Sequence, residues 1–390
     1  MKKRKLFDWV IIVTFTLFLL ETTLRIQQHL GPIYDLKFDH ITLEGLSNVV
    51  NHKPLHKNIR KLAGSSMYGE FDGYEYIFYC DSNGIRKNSL RSSGDRENKQ
   101  NSILFLGDSF MQGYDDSNTI PQHVWVYLKE KGLVTTIYNA GFYSYSPAIF
   151  IPQSKRIIPK LNPDFVVVDI DETDLGDDII RYNKLIVRNS NGKNIAVKFS
   201  PLFYEHLNGF VKIKKQPIFI IRLLQTIYHK KIYMPAFQKK YRSDKQPILG
   251  FSRDKDDNAQ DKYQKEISIF RNNVSELADT LIELMGDRHR ILFLYHPHLQ
   301  HLKADADGGY WNDFVSNTVK EVAEANDIAF YKTTEDLRIL FNDKPQSFYW
   351  KNNIHFNFKG IKLYGELVAI RLLSLITDVS KSPVASARLE

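Results

Sequence analysis

From Ser102 onward the sequence alternates short, continuous apolar runs with longer amphipathic stretches, and this alternation admits few folds. The runs Ile103 to Leu106, Thr135 to Tyr138, Phe165 to Ile170, Ile291 to Tyr295 and Ile328 to Tyr331 have the length and composition of buried strands. Between and after them, Ser117 to Lys131, Pro147 to Ile158, Lys262 to Met285, Trp311 to Ala325 and Ile361 to Ile376 have helical spacing. Apolar strands that alternate with helices predict a mostly parallel α/β sheet covered on both faces, with ligand sites at the carboxyl ends of its strands. The chain of 390 residues, 43% hydrophobic and 25% charged, is long enough for this domain with additions and is not of disordered composition.

The first residues have a different character. Lys2-Lys3-Arg4-Lys5 precede an uncharged run from Trp9 to Leu20, followed by Glu21 and, one turn later, Arg25. The run reads as a transmembrane helix with Asp8 and Glu21 at its ends, where they can reach the interface. Glu21-Thr22-Thr23-Leu24-Arg25 offers no small-x-small cleavage site, so the segment reads as an uncleaved signal anchor. Basic residues before the span put the N-terminus in the cytoplasm and everything beyond about residue 25 on the extracytoplasmic side of the inner membrane. The expected domains are therefore 1–25 as tip and anchor, 26–100 as linker and pre-domain segment, 101–378 as the main domain with an insertion at about 181–260, and 379–390 as a tail.

A net charge of +8 is compatible with phosphate-rich partners, but no nucleic-acid-binding motif is present and none is expected as a partner. The single cysteine, Cys80, excludes an internal disulfide framework, and no Cys/His cluster has structural-zinc spacing. Within the insertion, Lys212, Lys214, Lys215, Arg222, Lys230 and Lys231 are interleaved with Ile218, Phe219, Ile220, Leu223, Leu224 and Tyr228. Such sequence suits a membrane surface or an anionic glycan, and equally a packed helical insertion with a solvated basic face.

Two segments carry chemistry. Leu104-Phe105-Leu106 runs into Gly107-Asp108-Ser109, which presents a serine hydroxyl at the sheet's carboxyl edge as a candidate nucleophile. Near the other end, His355 lies in Asn352-Asn353-Ile354-His355-Phe356-Asn357-Phe358-Lys359-Gly360 and is the candidate general base. His296-Pro297-His298, with His301 nearby, follows a strand and should reach the same edge; a shared metal ion is conceivable, but the residues read as substrate-lining or surface histidines, and neither a metal nor another cofactor is expected.

Gly107-Asp108-Ser109 after a first strand, with a late His355-x-x-x-x-Gly360, resembles the SGNH (GDSL-type) hydrolase family over about residues 101–376. Ser82-Asn83-Gly84-Ile85-Arg86 is similar to the pre-domain segment of membrane-anchored bacterial members. Asn139-Ala140-Gly141-Phe142-Tyr143-Ser144-Tyr145 resembles the second block of the family, and Pro163-Asp164-Phe165 through Thr173-Asp174 the third. The resemblance implies the flavodoxin-like, three-layer SGNH fold and a serine nucleophile acting on acyl esters. It also exposes departures. The oxyanion glycine position is Ser144, the oxyanion asparagine position is Thr173, and the aspartate three residues before the histidine is Asn352. Asp174, Asp171 or Asp343 is a candidate for the missing carboxylate, and Asp108, Asp174 and His296 are candidates for substrate contact.

What the resemblance implies is an ester hydrolase or O-acyltransferase acting on acyl, chiefly O-acetyl, groups of cell-envelope glycans, tethered through the N-terminal helix. The alternative is a degenerate domain that binds glycan, or a partner such as a membrane-bound acyltransferase, and organises an envelope assembly. Thr173 and Asn352 favour the alternative; the intact Gly107-Asp108-Ser109 and His355 favour the enzyme.

Overall fold

Successive side chains of a strand point to opposite faces, so five largely apolar strands need cover on both sides. The computed structural model of the chain describes residues 2–30, 58–61, 75–78, 85–86, 101–133, 135–198, 209, 212–213, 215–236, 264–302, 310–341, 344–350 and 353–381. In chain order the principal elements are α1 (Lys2–Leu30), β1 (Asn58–Lys61), β2 (Glu75–Phe78), β3 (Asn101–Leu106), α2 (Ser109–Gln112), α3 (Ile120–Glu130), β4 (Thr135–Asn139), α4 (Pro147–Leu161), β5 (Phe165–Ile170), α5 (Glu172–Gly176), β6 (Ile186–Arg188), β7 (Asn194–Val197), α6 (Phe219–Tyr228), α7 (Gln264–Met285), β8 (Ile291–Tyr295), α8 (Tyr310–Ala325), β9 (Ala329–Lys332), α9 (Thr334–Phe341) and α10 (Phe358–Lys381). They group into two compact units, Met1–Ser47 with Phe199–Pro247, and Asn48–Lys198 with Ile248–Glu390.

The larger unit is built on a five-stranded parallel sheet of order β4-β3-β5-β8-β9, the flavodoxin-like 2-1-3-4-5 arrangement. Its strands sort their residues by parity. Leu104, Leu106, Val166, Val168 and Phe293 pack with Phe150 and Ile157 of α4, Phe270 and Val274 of α7, and Val319 of α8. Ile103, Phe105, Val167 and Leu294 pack on the other face with Val124 of α3, Leu337 of α9, and Tyr364 and Val368 of α10. The result is the three-layer architecture expected from the sequence. Chain order switches direction on either side of β3, which places the crevice at its carboxyl end.

Local signals start the helices. The Thr119 hydroxyl caps α3 by accepting from Gln122 N at 3.0 Å, and α4 opens on Pro147, where a missing N–H costs nothing. α3 and α10 approach closely at Gly365, where a Cβ would fall 2.6 Å from His123 Cβ and 3.1 Å from Ile120 O. Gly365→Ala is therefore expected to force the two helices apart and lower stability by roughly 1–3 kcal/mol, read as a drop in the thermal unfolding midpoint. The β6–β7 hairpin, within the range assigned to the insertion, packs on α4 in this unit, with Asn194 Nδ2 donating to Ala148 O at 2.7 Å.

In the smaller unit, Asp8–Gln27 of α1 is long and apolar enough to cross a membrane, with mean hydropathy 1.7 and 6% of the segment buried. Glu21 accepts from Phe219 N and Ile220 N, both at 3.0 Å, so its carboxylate serves the first turn of α6. Arg25 donates to Glu21 at 2.9 Å and to Pro217 O at 2.9 Å, and Arg25 and Arg222 lie over the Phe219 ring. Ile218, Leu224, Ile227, Tyr228 and Ile232 are left exposed.

Candidate active site

The turn after β3 is forced by sterics. A Cβ on Gly107 would sit 2.5 Å from Met111 Cγ, so only glycine lets the chain fold back into α2. Asp108 then caps this short helix, accepting from Phe110 N at 2.8 Å. The Ser109 hydroxyl lies 2.8 Å from His355 Nε2 and 3.1 Å from Asp108 Oδ2. Burial first, and then the charge of Asp171, push the Asp108 carboxyl up to about 7, with His296 acting in the opposite sense. A hydroxyl has one proton, so an ionised Asp108 competes with Nε2 for it, whereas a protonated Asp108 is able to donate its own proton to Oγ instead.

His355 sits before α10 in a loop closed by Trp350 N donating to His355 O at 3.1 Å and by Tyr114 OH donating to Phe356 O at 3.1 Å. Its Nδ1 faces Asn353 Oδ1 at 2.7 Å. The backbone N–H of His355 also donates to that oxygen, at 3.0 Å, which identifies the facing atom as the amide oxygen. Nδ1 therefore carries the proton and Nε2 presents its lone pair to Ser109. Burial, reinforced by His298 and opposed by Asp171, holds the His355 pKa down at about 4.

The supporting residue is thus Asn353, two positions before the histidine. Asn352, the position singled out by the motif spacing, lies outside the described residues, as does Asp343. Asp171 and Asp174 face elsewhere: Asp171 Oδ2 takes His298 Nε2 at 2.8 Å, and Asp174 accepts from Asp171 N at 3.1 Å. Among the described residues no carboxylate is hydrogen-bonded to His355.

The loop after β4 is stitched to the serine turn by Phe142 N donating to Gly107 O at 3.0 Å. Ser144 has φ +59°, a left-handed conformation that glycine adopts most easily. Its hydroxyl accepts from Arg181 Nη1 at 2.7 Å and its carbonyl from Tyr182 OH at 2.6 Å. The backbone N–H groups of Ser109 and Ser144 make no hydrogen bond within the described residues. Thr173 differs: its hydroxyl donates to Asp171 Oδ1 at 2.6 Å and its N–H to the same oxygen at 2.7 Å, so neither is directed at an oxyanion.

His296 does not line a substrate surface. It is 1% exposed, behind Phe110, whose ring centroid is 4.1 Å from that of His296 and 4.8 Å from that of His355. Asp174, the other expected substrate contact, is likewise buried, and burial with Asp171 and Asp108 nearby holds its carboxyl well above the usual range. Asp108 touches the nucleophile itself. Arg86 of the pre-domain segment enters by a route that motif spacing did not reveal. Its guanidinium donates to Gln112 O and, at 2.9 Å, to Tyr114 O, while Gln112 Oε1 accepts from Tyr143 N at 3.2 Å. The cation thus holds the end of the serine helix, and the Gln112 side chain ties that helix to the Ser144 loop.

No family model and no curated protein matches the sequence. Solved structures similar to it include the lipase/acylhydrolase from Enterococcus faecalis, at 14% identity over 70% of this chain and 95% of that chain, with a TM-score of 0.39. An acetylxylan esterase from Geobacillus stearothermophilus is 12% identical over 71% of this chain and 94% of that one, with a TM-score of 0.40.

Proposed function

We propose that this chain is a membrane-tethered serine hydrolase or acyltransferase of the SGNH type, acting on acyl esters. The observation that carries the reading is the relay from Ser109 Oγ to His355 Nε2 at 2.8 Å and from His355 Nδ1 to Asn353 Oδ1 at 2.7 Å. Ser109 Oγ attacks the acyl carbonyl as His355 takes its proton, and Asn353 holds the imidazole in the tautomer this requires. The Ser109 and Ser144 N–H groups, without hydrogen-bond partners among the described residues, receive the oxyanion. His355 returns the proton to the leaving alcohol, and water or an acceptor hydroxyl resolves the acyl-serine. The resemblance to anchored members of the family supports O-acetyl groups of envelope glycans as the substrate class.

Reaction with a serine-directed fluorophosphonate, with Ser109→Ala as control, tests the reading; labelling that depends on Ser109 is the expected result. A second reading is favoured by Thr173, whose hydroxyl is occupied by Asp171. On that reading the domain is degenerate and binds glycan or an envelope partner, such as a membrane-bound acyltransferase, and folded protein stays unlabelled. If the enzyme reading holds, kcat/KM should persist at mildly acidic pH. A base must be neutral to accept a proton, so the rate should fall about tenfold per pH unit only below about 4, where His355 protonates.

The proposed placement is an inner-membrane anchor with the domain outside the cytoplasm. The length and hydropathy of Asp8–Gln27 support it. The exposed apolar residues of α6, docked on α1 through Glu21, suit the membrane interface. Protease accessibility of the domain in spheroplasts but not in sealed inside-out vesicles checks the orientation.

A further inference from the structure

The carboxyl ends of β5 and β8 converge on a group of side chains that the serine chemistry does not use. We propose that Asp171, His296 and His298 bind a divalent first-row cation, Zn²⁺ in the first place, through Asp171 Oδ2 and the two imidazole Nε2 atoms.

The donor atoms already cluster: all lie within 4.8 Å of one another, with Asp171 Oδ2 2.8 Å from His298 Nε2 and 3.5 Å from His296 Nε2. Donors about 2.0–2.2 Å from a tetrahedral zinc stand roughly 3.3 Å apart, so small shifts accommodate the ion. His296-Pro297-His298 follows directly on β8, with His296 N donating to Ile170 O of β5 at 3.4 Å, so both histidines stand at the carboxyl end of the sheet. All three residues are buried, at 1% exposure for Asp171 and His296 and 4% for His298.

The surroundings fit a ligand role better than a self-contained hydrogen-bond network. Neither ring nitrogen of His296 has a well-directed hydrogen bond within the described residues, although the side chain is sealed from water. Buried polar atoms seldom stay unpaired, and a cation at Nε2 would satisfy this one. Asp169 Oδ2 stands 3.0 Å from His296 Nδ1, the place an outer carboxylate takes behind a metal-bound imidazole, and Tyr364 OH anchors Asp169 at 2.9 Å. Asp171 Oδ1 is engaged by the Thr173 N–H and hydroxyl, which turns Oδ2 toward the imidazoles. His301 is outside the set, since its Nε2 pairs with Glu172 at 3.0 Å and its Nδ1 accepts from His298 N at 3.1 Å.

Charge points the same way. Two aspartates, Asp169 and Asp171, are buried beside the imidazoles, and a divalent cation offsets carboxylate charge in a dry site. Two nitrogens and one carboxylate oxygen suit zinc and its neighbours rather than magnesium or calcium, and leave one tetrahedral position for a further donor.

The proposal is independent of the serine reading, and the test keeps the two apart. Full-length protein, purified in detergent without chelators, is analysed for metal, then stripped and titrated with Co²⁺ and Zn²⁺. The expected results are stoichiometric metal, the visible d–d bands of four-coordinate Co²⁺, their bleaching by Zn²⁺, and a thermal midpoint that falls with chelation and recovers with Zn²⁺. His298→Gln should lose the bands, whereas His301→Gln and Ser109→Ala should keep them. Folded wild-type protein that holds no metal, gives no Co²⁺ bands and has a midpoint indifferent to chelator would overturn the proposal and leave a protonated His–Asp network. This arm needs no variant to fold.

Discussion

Ser109→Ala is expected to lower turnover of an activated aryl acetate by a factor on the order of 10³ or more, with little change in KM. An intact serine triad loses on the order of 10⁶ in kcat when its nucleophile or base is removed. The present site begins lower, because its third member is a neutral amide and Thr173 supplies no oxyanion donor. The serine therefore has less to lose than in a complete triad, yet without it no acyl-enzyme forms. His355→Ala should fall by a similar factor, because Nε2 is the only described acceptor positioned to take the Ser109 proton in the attack on a carbonyl; the Asp108 contact, at 3.1 Å, is longer and comes from a carboxyl that is half protonated at about pH 7. The double variant should be no worse than either single one, since two residues that act as one unit are not additive. Steady-state rates of the three variants, beside thermal unfolding to show that each is folded, decide the matter. A Ser109→Ala rate within a few-fold of wild type would remove Ser109 from the chemistry.

The sheet was legible because its information is local and repeated. Phe165 to Ile170 and Ile291 to Tyr295 occupy the strands expected of them, and Thr135 and Leu106 bound theirs correctly at one end. The helices extend a turn or more beyond some expected ends, most clearly α10, which begins at Phe358 and runs to Lys381. Its first turn is started by Asn357, whose Oδ1 accepts from Lys359 N and Gly360 N, a capping signal that lies inside the His355 motif itself. The β6–β7 hairpin was hidden for a different reason. Ile186–Arg188 and Asn194–Val197 are short, and a bulge between Val187 and Arg188 breaks their alternation.

At the site, side chains adjacent to a turn were readable and side chains that meet across the fold were not. Ser109 is presented by its own glycine turn, whereas the partner of His355 depends on how the chain folds back between Tyr349 and Phe356. Spacing cannot distinguish Asn352 from Asn353 there. The basic residue Arg86 gave no sign of its role, because its partners Gln112 and Tyr114 lie 26 and 28 residues away and are reached through their carbonyls. His296 misled for a related reason: a histidine after a strand at a catalytic edge looks available to substrate, but Phe110 covers it.

The identity of the His355 partner leads to the second large effect. Asn353→Asp is expected to raise kcat/KM near neutral pH by on the order of 10², short of the ~10⁴ that separates carboxylate from amide in a serine protease triad. Part of that larger factor comes from a wrongly held tautomer, and here the amide already presents its oxygen to Nδ1. What the amide cannot supply is negative charge beside the imidazolium formed in the transition state. A carboxylate at 2.7 Å would supply it and would favour protonated His355, so the histidine pKa must rise from about 4. The sign of the pH effect is then fixed: the acid limb of the rate profile moves to higher pH, and the variant loses activity in mildly acidic buffer where the wild type keeps it. Asn352→Asp, made in parallel, places the carboxylate where the family spacing would have it. Gain at 353 with a shifted acid limb supports the observed geometry, gain at 352 alone assigns the relay to the spacing, and no gain at either position favours a domain whose serine and histidine no longer perform acyl transfer.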